Sequence, residues 1–183
     1  MFQILRALRY KNYRLFFTGQ SISLTGSWLT RVATNWLVYR LTSSAFLLGV
    51  VSFSGQIPTF LFVPFAGVFV DRFPNRRQIL IVTHILLMIQ PLVLSYLCFS
   101  HQIEIWHLIL FSILQGLINA FDIPARQVFL AEMIERHADL GNAVALNSSM
   151  FNGARFVGPA FAGILIATVG EGLCFLLDGL SYL

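Results

Sequence analysis

Five apolar runs dominate this sequence, each long enough to cross about 30 Å of hydrocarbon as a helix. They cover roughly Leu15–Tyr39, Phe46–Ala66, Gln78–Phe99, Ile103–Phe121 and Ala143–Val169. A sixth opens near Gly172 and is still apolar at Leu183. Its length as helix is about 18 Å, an incomplete crossing. Composition points the same way. The chain is 57% apolar and 11% charged, where a soluble domain is about 45–50% apolar and about 25% charged. A soluble enzyme, a disordered tail and a disulfide-stapled secreted module are therefore poor fits. The expectation is an all-α membrane protein: one bundle over residues 1–183, with five complete transmembrane helices and a truncated sixth.

The basic residues orient these crossings. Arg6, Arg9, Lys11 and Arg14 precede the first run, Arg72, Arg76 and Arg77 separate the second from the third, and Arg126 and Arg136 separate the fourth from the fifth. The alternate connections carry Arg40 alone. By the positive-inside rule the N-terminus is cytoplasmic. The first run is too long and too polar for a secretory signal, and Phe2–Tyr13 reads as a short amphipathic helix on the inner surface. The net charge of +4 is spread over short connections without interleaved exposed aromatics, which excludes a nucleic-acid partner. Cys98 and Cys174 lie within or beside apolar runs and read as small buried hydrophobes.

Lipid-facing helices should be apolar on every side, because an unpaired polar group in hydrocarbon is costly. Three runs depart from this in an ordered way. Gln20, Ser23, Ser27, Arg31, Thr34 and Asn35 recur on one face of the first. Ser112, Gln115, Asn119 and Asp122 do so on the fourth, and Ser148, Asn152 and Arg155 on the fifth, while the second and third carry weaker, scattered polarity. Such stripes either bind helices together by hydrogen bonds or line a shared water-accessible cavity. Arg31 and Arg155 lie about 24 Å and about 18 Å above the cytoplasmic edge, and Asp178, counted down from the outer edge, falls at a similar height near about 21 Å. Three ionisable groups at one depth are functional candidates by default: Asp178 could pair with either arginine, fix helix packing, or take up a proton. Asp122, near the inner edge, belongs with Arg126.

No metal-binding or nucleophilic motif is present, and His84, His101, His107 and His137 share no ligand spacing. The sequence therefore predicts no catalytic residue, no metal and no cofactor.

Two local patterns carry a family resemblance. Gly67, followed after three residues by Asp71 and Arg72 and then, past Pro74, by Arg76 and Arg77, resembles the signature of the major facilitator superfamily, with proline at a usual glycine. Ala154, Gly158, Pro159, Ala162 and Gly163 resemble that superfamily's fifth-helix antiporter motif, with alanine at two glycine positions. The run from Asn119 through Asp122, Pro124 and Arg126, then Glu132, Asn142, Asn147 and Arg155, with Gly19, Gln20, Gly26, Ser27 and Trp28 earlier, is similar to the bacterial branch of enterobactin exporters and transmembrane secretion effectors.

The resemblance implies two six-helix bundles, of which this chain covers most of the first, in a bacterial inner membrane. It implies that helices one, two, four and five face the central cavity and the other bundle, with three and six outside. It also implies that Gly67, Asp71, Arg72, Arg76, Arg77, Asp122, Arg126 and Glu132 form a cytoplasmic gate network. Ala154, Gly158, Pro159, Ala162 and Gly163 would form an interdomain hinge surface. The function so implied is proton-coupled efflux of an amphipathic small molecule by alternating access. Its partners are the substrate, protons, the bilayer and a second bundle of the same polypeptide. A nutrient importer of the same fold and a non-transporting membrane scaffold are the alternatives.

Overall fold

The computed structural model of the chain describes residues 6–134 and 136–183. Among these, a 3-10 turn at Arg6–Arg9 leads into six helices: α1 (Lys11–Thr42), α2 (Ala45–Arg72), α3 (Arg76–Phe99), α4 (Ile105–Glu132), α5 (His137–Thr168) and α6 (Glu171–Leu180). The inner-surface helix expected over Phe2–Tyr13 is a 3-10 turn followed by the start of α1, and its first part lies outside the described residues. Four helices, α2 to α5, are both long and apolar enough to cross a membrane. The first matches α5 in length, at 32 residues, but carries its polar stripe through the middle.

Local chemistry explains the boundaries. Ser43 ends α1 in the left-handed region (φ 50°), its N–H capping the Tyr39 carbonyl. Ser44 then starts α2, its hydroxyl accepting from the Leu47 N–H at 3.3 Å. At the head of α4 the Glu104 N–H donates to His107 Nδ1 at 3.1 Å, which gives that histidine a capping role. Five of the six prolines lie inside helices, Pro58 and Pro64 in α2, Pro91 in α3, Pro124 in α4 and Pro159 in α5. This pattern suits membrane helices, where neighbouring elements satisfy the freed carbonyls. Pro74 alone sits in a connection, between α2 and α3. The signature expected in that connection is mostly helical, since Gly67–Arg72 forms the last turns of α2. The fourth helix likewise runs past Phe121, through Pro124, to Glu132.

The helices pack in the order α1, α6, α3, α4, α2, and α2 returns to α1; α5 lies on the outside of α1. Tight crossings use residues without side chains. A Cβ on Gly116 would sit 2.2 Å from the Gly55 carbonyl oxygen of α2, and one on Gly158 would sit 2.3 Å from Trp28 Cβ of α1. These contacts let backbones approach as membrane helices require, because lipid supplies no hydrophobic drive to pack them.

One core cluster joins the second half of α1 to the starts of α4 and α6 through Leu29, Leu37, Leu108, Cys174 and Phe175. Cys98 packs half-buried against it, so both cysteines are free and serve as packing groups. A second cluster, around Tyr13, Leu130, Ala143 and Leu146, closes the other end. There Tyr13 donates its hydroxyl to the Ala143 carbonyl at 3.0 Å, and Tyr10, ahead of α1, donates to Asp139 at 3.0 Å. Burial, helped by the Asp139 carboxylate, raises the Tyr10 pKa above the ordinary tyrosine value. The outer surface is apolar, with Phe46, Phe60, Phe65 and Phe156 each more than 70% exposed, a surface that in water would drive association.

Candidate functional site

Between the helices lies a cavity of about 430 Å³. α1 contributes Gln20, Ser27, Trp28, Thr30, Arg31, Thr34 and Asn35; α4 contributes Phe111, Ser112, Gln115, Asn119, Asp122 and Arg126. α2 adds Ser52, Gln56 and Thr59, α3 adds His84 and Gln90, α5 adds Phe151, and Asp178 and Tyr182 come from α6 and the residues after it. Val51, Leu94 and Leu108 line the cavity and also belong to the first core cluster, so that cluster forms its apolar end. A concave site with an apolar wall and a few convergent polar groups is the usual form of a small-molecule site.

Of the residues expected to line a cavity, Gln20, Ser27, Arg31, Thr34, Asn35, Gln115 and Asn119 do so. Ser23 is buried beside it, donating to the Ser181 carbonyl at 2.8 Å and so tying α1 to the end of the chain. Asn152 and Arg155 are exposed on α5 and do not reach it. Their side of α5 faces away because α5 packs outside α1, and the Asn152 amide turns back to its own helix at Ser148. The three ionisable groups expected at one depth do not pair. Arg31 lies 5.1 Å from the centre of the Trp28 ring, Arg155 is exposed, and Asp178 is 4% exposed with no ion pair among the described residues. Thr30 is beside Asp178, but neither Thr30 Oγ1 nor Asp178 Oδ1 has a hydrogen bond of normal geometry.

The charged group that is assembled centres on Asp122, 1% exposed. It forms an ion pair with Arg126 one turn later on α4, and Thr83 Oγ1 of α3 donates to its Oδ1 at 2.9 Å. His84 Nδ1 is 3.9 Å from the same oxygen. That nitrogen is 2.6 Å from the Leu80 carbonyl; a carbonyl only accepts, so Nδ1 carries a proton.

The expected gate network divides into two separate pairs. Asp122 with Arg126 is buried at the cavity, whereas Arg76 pairs with Glu132 near the surface, bridging the start of α3 to the end of α4. Ten residues of α4 separate Asp122 from Glu132, about 15 Å along the helix. Arg76 Nη2 also reaches the Asp71 carbonyl at 3.4 Å, while the side chains of Asp71, Arg72 and Arg77 are exposed. Gly67 has open space where a side chain would go. The expected hinge ridge also sits elsewhere. Ala154, Gly158 and Ala162 are buried, Gly158 against α1, so the ridge is a seam inside the bundle. Pro159 is half-buried, and a Cβ added at Gly163 would meet nothing within 4 Å.

Residues 4–183 match the transmembrane secretion effector family. The chain belongs to that family, within the major facilitator superfamily. It is 28% identical over 171 residues to the staphyloferrin A transporter of Staphylococcus aureus, covering 92% of this chain and 42% of that protein. It is 27% identical over 161 residues to macrolide efflux protein A of Streptococcus pyogenes, covering 86% of this chain and 39% of that one. With the multidrug efflux pump Tap of Mycolicibacterium fortuitum it shares 28% over 149 residues, or 79% of this chain and 36% of the pump. The chain thus spans about two fifths of the length of these relatives. No solved structure matches it significantly. With four helices long and apolar enough to cross a membrane, the chain is a multi-pass membrane protein of a transporter family.

The cavity has contributors that the pattern of the sequence left aside. Ser52, Gln56 and Thr59 step along one face of α2 at four- and three-residue intervals, a stripe diluted by the phenylalanines around it. His84, Gln90 and Tyr182 carry no periodic signal and are brought in by packing. Helices expected outside, three and six, therefore contribute to the cavity, and five contributes a single aromatic ring.

Proposed function

We propose that this chain is the N-terminal bundle of a two-bundle bacterial exporter, with five full crossings and the start of a sixth, set in the plasma membrane with its N-terminus in the cytoplasm. The whole transporter moves an amphipathic small molecule outward by alternating access, driven by protons. The observation that carries this reading is the polar cavity of about 430 Å³ inside an otherwise apolar helical shell. Polar side chains at membrane depth are expensive unless they face water, a partner or a substrate. The loop arginines support the orientation, and the lengths of the relatives, named for siderophore, macrolide and multidrug transport, support a second bundle.

In this scheme Gln20, Ser27, Arg31, Thr34, Asn35, Gln115 and Asn119 contact substrate. Asn152 and Arg155, on the open side of α5, face the second bundle, and Asp178 is a proton site. The Arg76–Glu132 pair, with Asp71, Arg72 and Arg77, opens and closes with the cytoplasmic gate. The test is transport by the full-length protein in inside-out vesicles, with an inward-acid gradient imposed. Uptake of substrate into the lumen that collapses with the gradient is expected, with at least partial loss in Asp71→Asn. Movement in the opposite direction, or uptake indifferent to the gradient, would overturn the reading.

A further inference from the structure

Not every charge around the cavity is matched by another. Asp122 is held by Arg126 and Thr83, and Arg31 leans on Trp28. Asp178 has no such partner. It is 4% exposed, and its Oδ1 is wedged against α1 where only Gly26 leaves room: a Cβ there would lie 2.7 Å from that oxygen. On the same cavity Gln90 donates its amide nitrogen to the Phe111 carbonyl at 2.7 Å, leaving Oε1 as a buried acceptor without a donor. Of the buried donors around the cavity that lack partners, Thr30 Oγ1 sits beside Asp178 itself, and Nε and Nη1 of Arg126 have an acceptor available elsewhere. A separate pocket of about 60 Å³ is lined by both Arg126 and Asn147, whose Oδ1 is itself unpartnered. What remains for an occupant of the main cavity is therefore acceptor chemistry centred on a carboxylate.

A buried carboxylate without a counter-charge is costly, and a ligand cation removes that cost while gaining a charge-assisted contact. The cavity wall suits such a ligand, since Phe111 and Tyr182 offer rings not covered by an arginine, as Trp28 is by Arg31 and Phe151 by Arg126, and ring faces attract cations. The other titratable groups facing this space are Arg31, which is turned onto Trp28, and His84, Asp122, Arg126 and Tyr182. Arg155, which would have favoured an anion, lies outside. We infer that Asp178 recognises a cationic group of the transported molecule, so that the substrate class is an amphipathic organic cation rather than an anion. This deepens, and rests on, the transport reading above.

The test compares two ions of nearly equal size and shape but opposite charge. Tetraphenylphosphonium and tetraphenylborate are titrated into the 183-residue chain reconstituted in phosphatidylcholine nanodiscs, with protein-free discs subtracted. The wild type is expected to hold the phosphonium about tenfold more tightly than the borate, and Asp178→Asn to lose about that factor for the phosphonium alone. Equal or tighter borate binding by the wild type overturns the inference, and needs no variant to fold. So does unchanged phosphonium affinity in a folded Asp178→Asn chain. Binding that behaves as expected, in a full-length protein that transports nothing, would instead sink the transport reading and leave the site standing.

Discussion

At Asp122 the cost of burying a carboxylate and the means of meeting it are both visible. Arg126 sits four residues on, one helical turn away, and Thr83 supplies a hydroxyl from α3. Removing Arg126 leaves a charge buried without compensation, so Arg126→Ala is expected to cost about 3–5 kcal/mol. The double variant Asp122→Asn, Arg126→Gln is expected to cost clearly less; unfolding in a graded denaturant series of the detergent-solubilised chain measures both. The four-residue spacing made the Asp122–Arg126 pair legible in the sequence. Thr83 and His84 were not, because 39 and 38 residues separate them from Asp122 and only the α3–α4 packing unites them. The glycines give a second case. Gly116→Ala pushes a Cβ into the Gly55 carbonyl and is expected to destabilise by about 1–3 kcal/mol, whereas Gly163→Ala meets open space and is expected to leave the melting temperature unchanged or slightly raised.

Each helix was readable as a helix, because long apolar runs with proline and glycine punctuation admit little else in a membrane. Which way each stripe points was not readable. The stripes of α1 and α4 meet in the cavity, but that of α5, equally periodic, faces away, because the small residues Ala154, Gly158 and Ala162 on its other side dock onto α1. Periodicity identifies a face; the choice of neighbour depends on where small residues permit close approach. The short α6 is fixed at its start by Arg40, which reaches from α1 to the buried Glu171 at 3.0 Å. Arg40→Ala leaves that carboxylate unpaired, a loss of about 1–3 kcal/mol. Amide exchange is expected to quicken across Glu171–Leu180 while α3 and α4 hold their protection; equal rates in α6 would show the pair to be incidental. Arg76→Ala, removing a more exposed pair, is expected to cost no more than about 1 kcal/mol.

Over the whole molecule, large apolar side chains cover the outside, and the interior holds apolar core clusters together with a cavity lined by polar side chains. Phe60, 80% exposed on α2, and Gln115, on the cavity side of α4, represent the two environments. The central claim is that the cavity is open to water and the phenylalanine surface is in lipid. Single cysteines at these two positions, in a chain with Cys98→Ser and Cys174→Ala and reconstituted in vesicles, report it directly through a charged, membrane-impermeant thiol reagent presented on both sides. The account predicts rapid labelling of Gln115→Cys and little or none of Phe60→Cys; equal labelling, or labelling of Phe60→Cys alone, would contradict it.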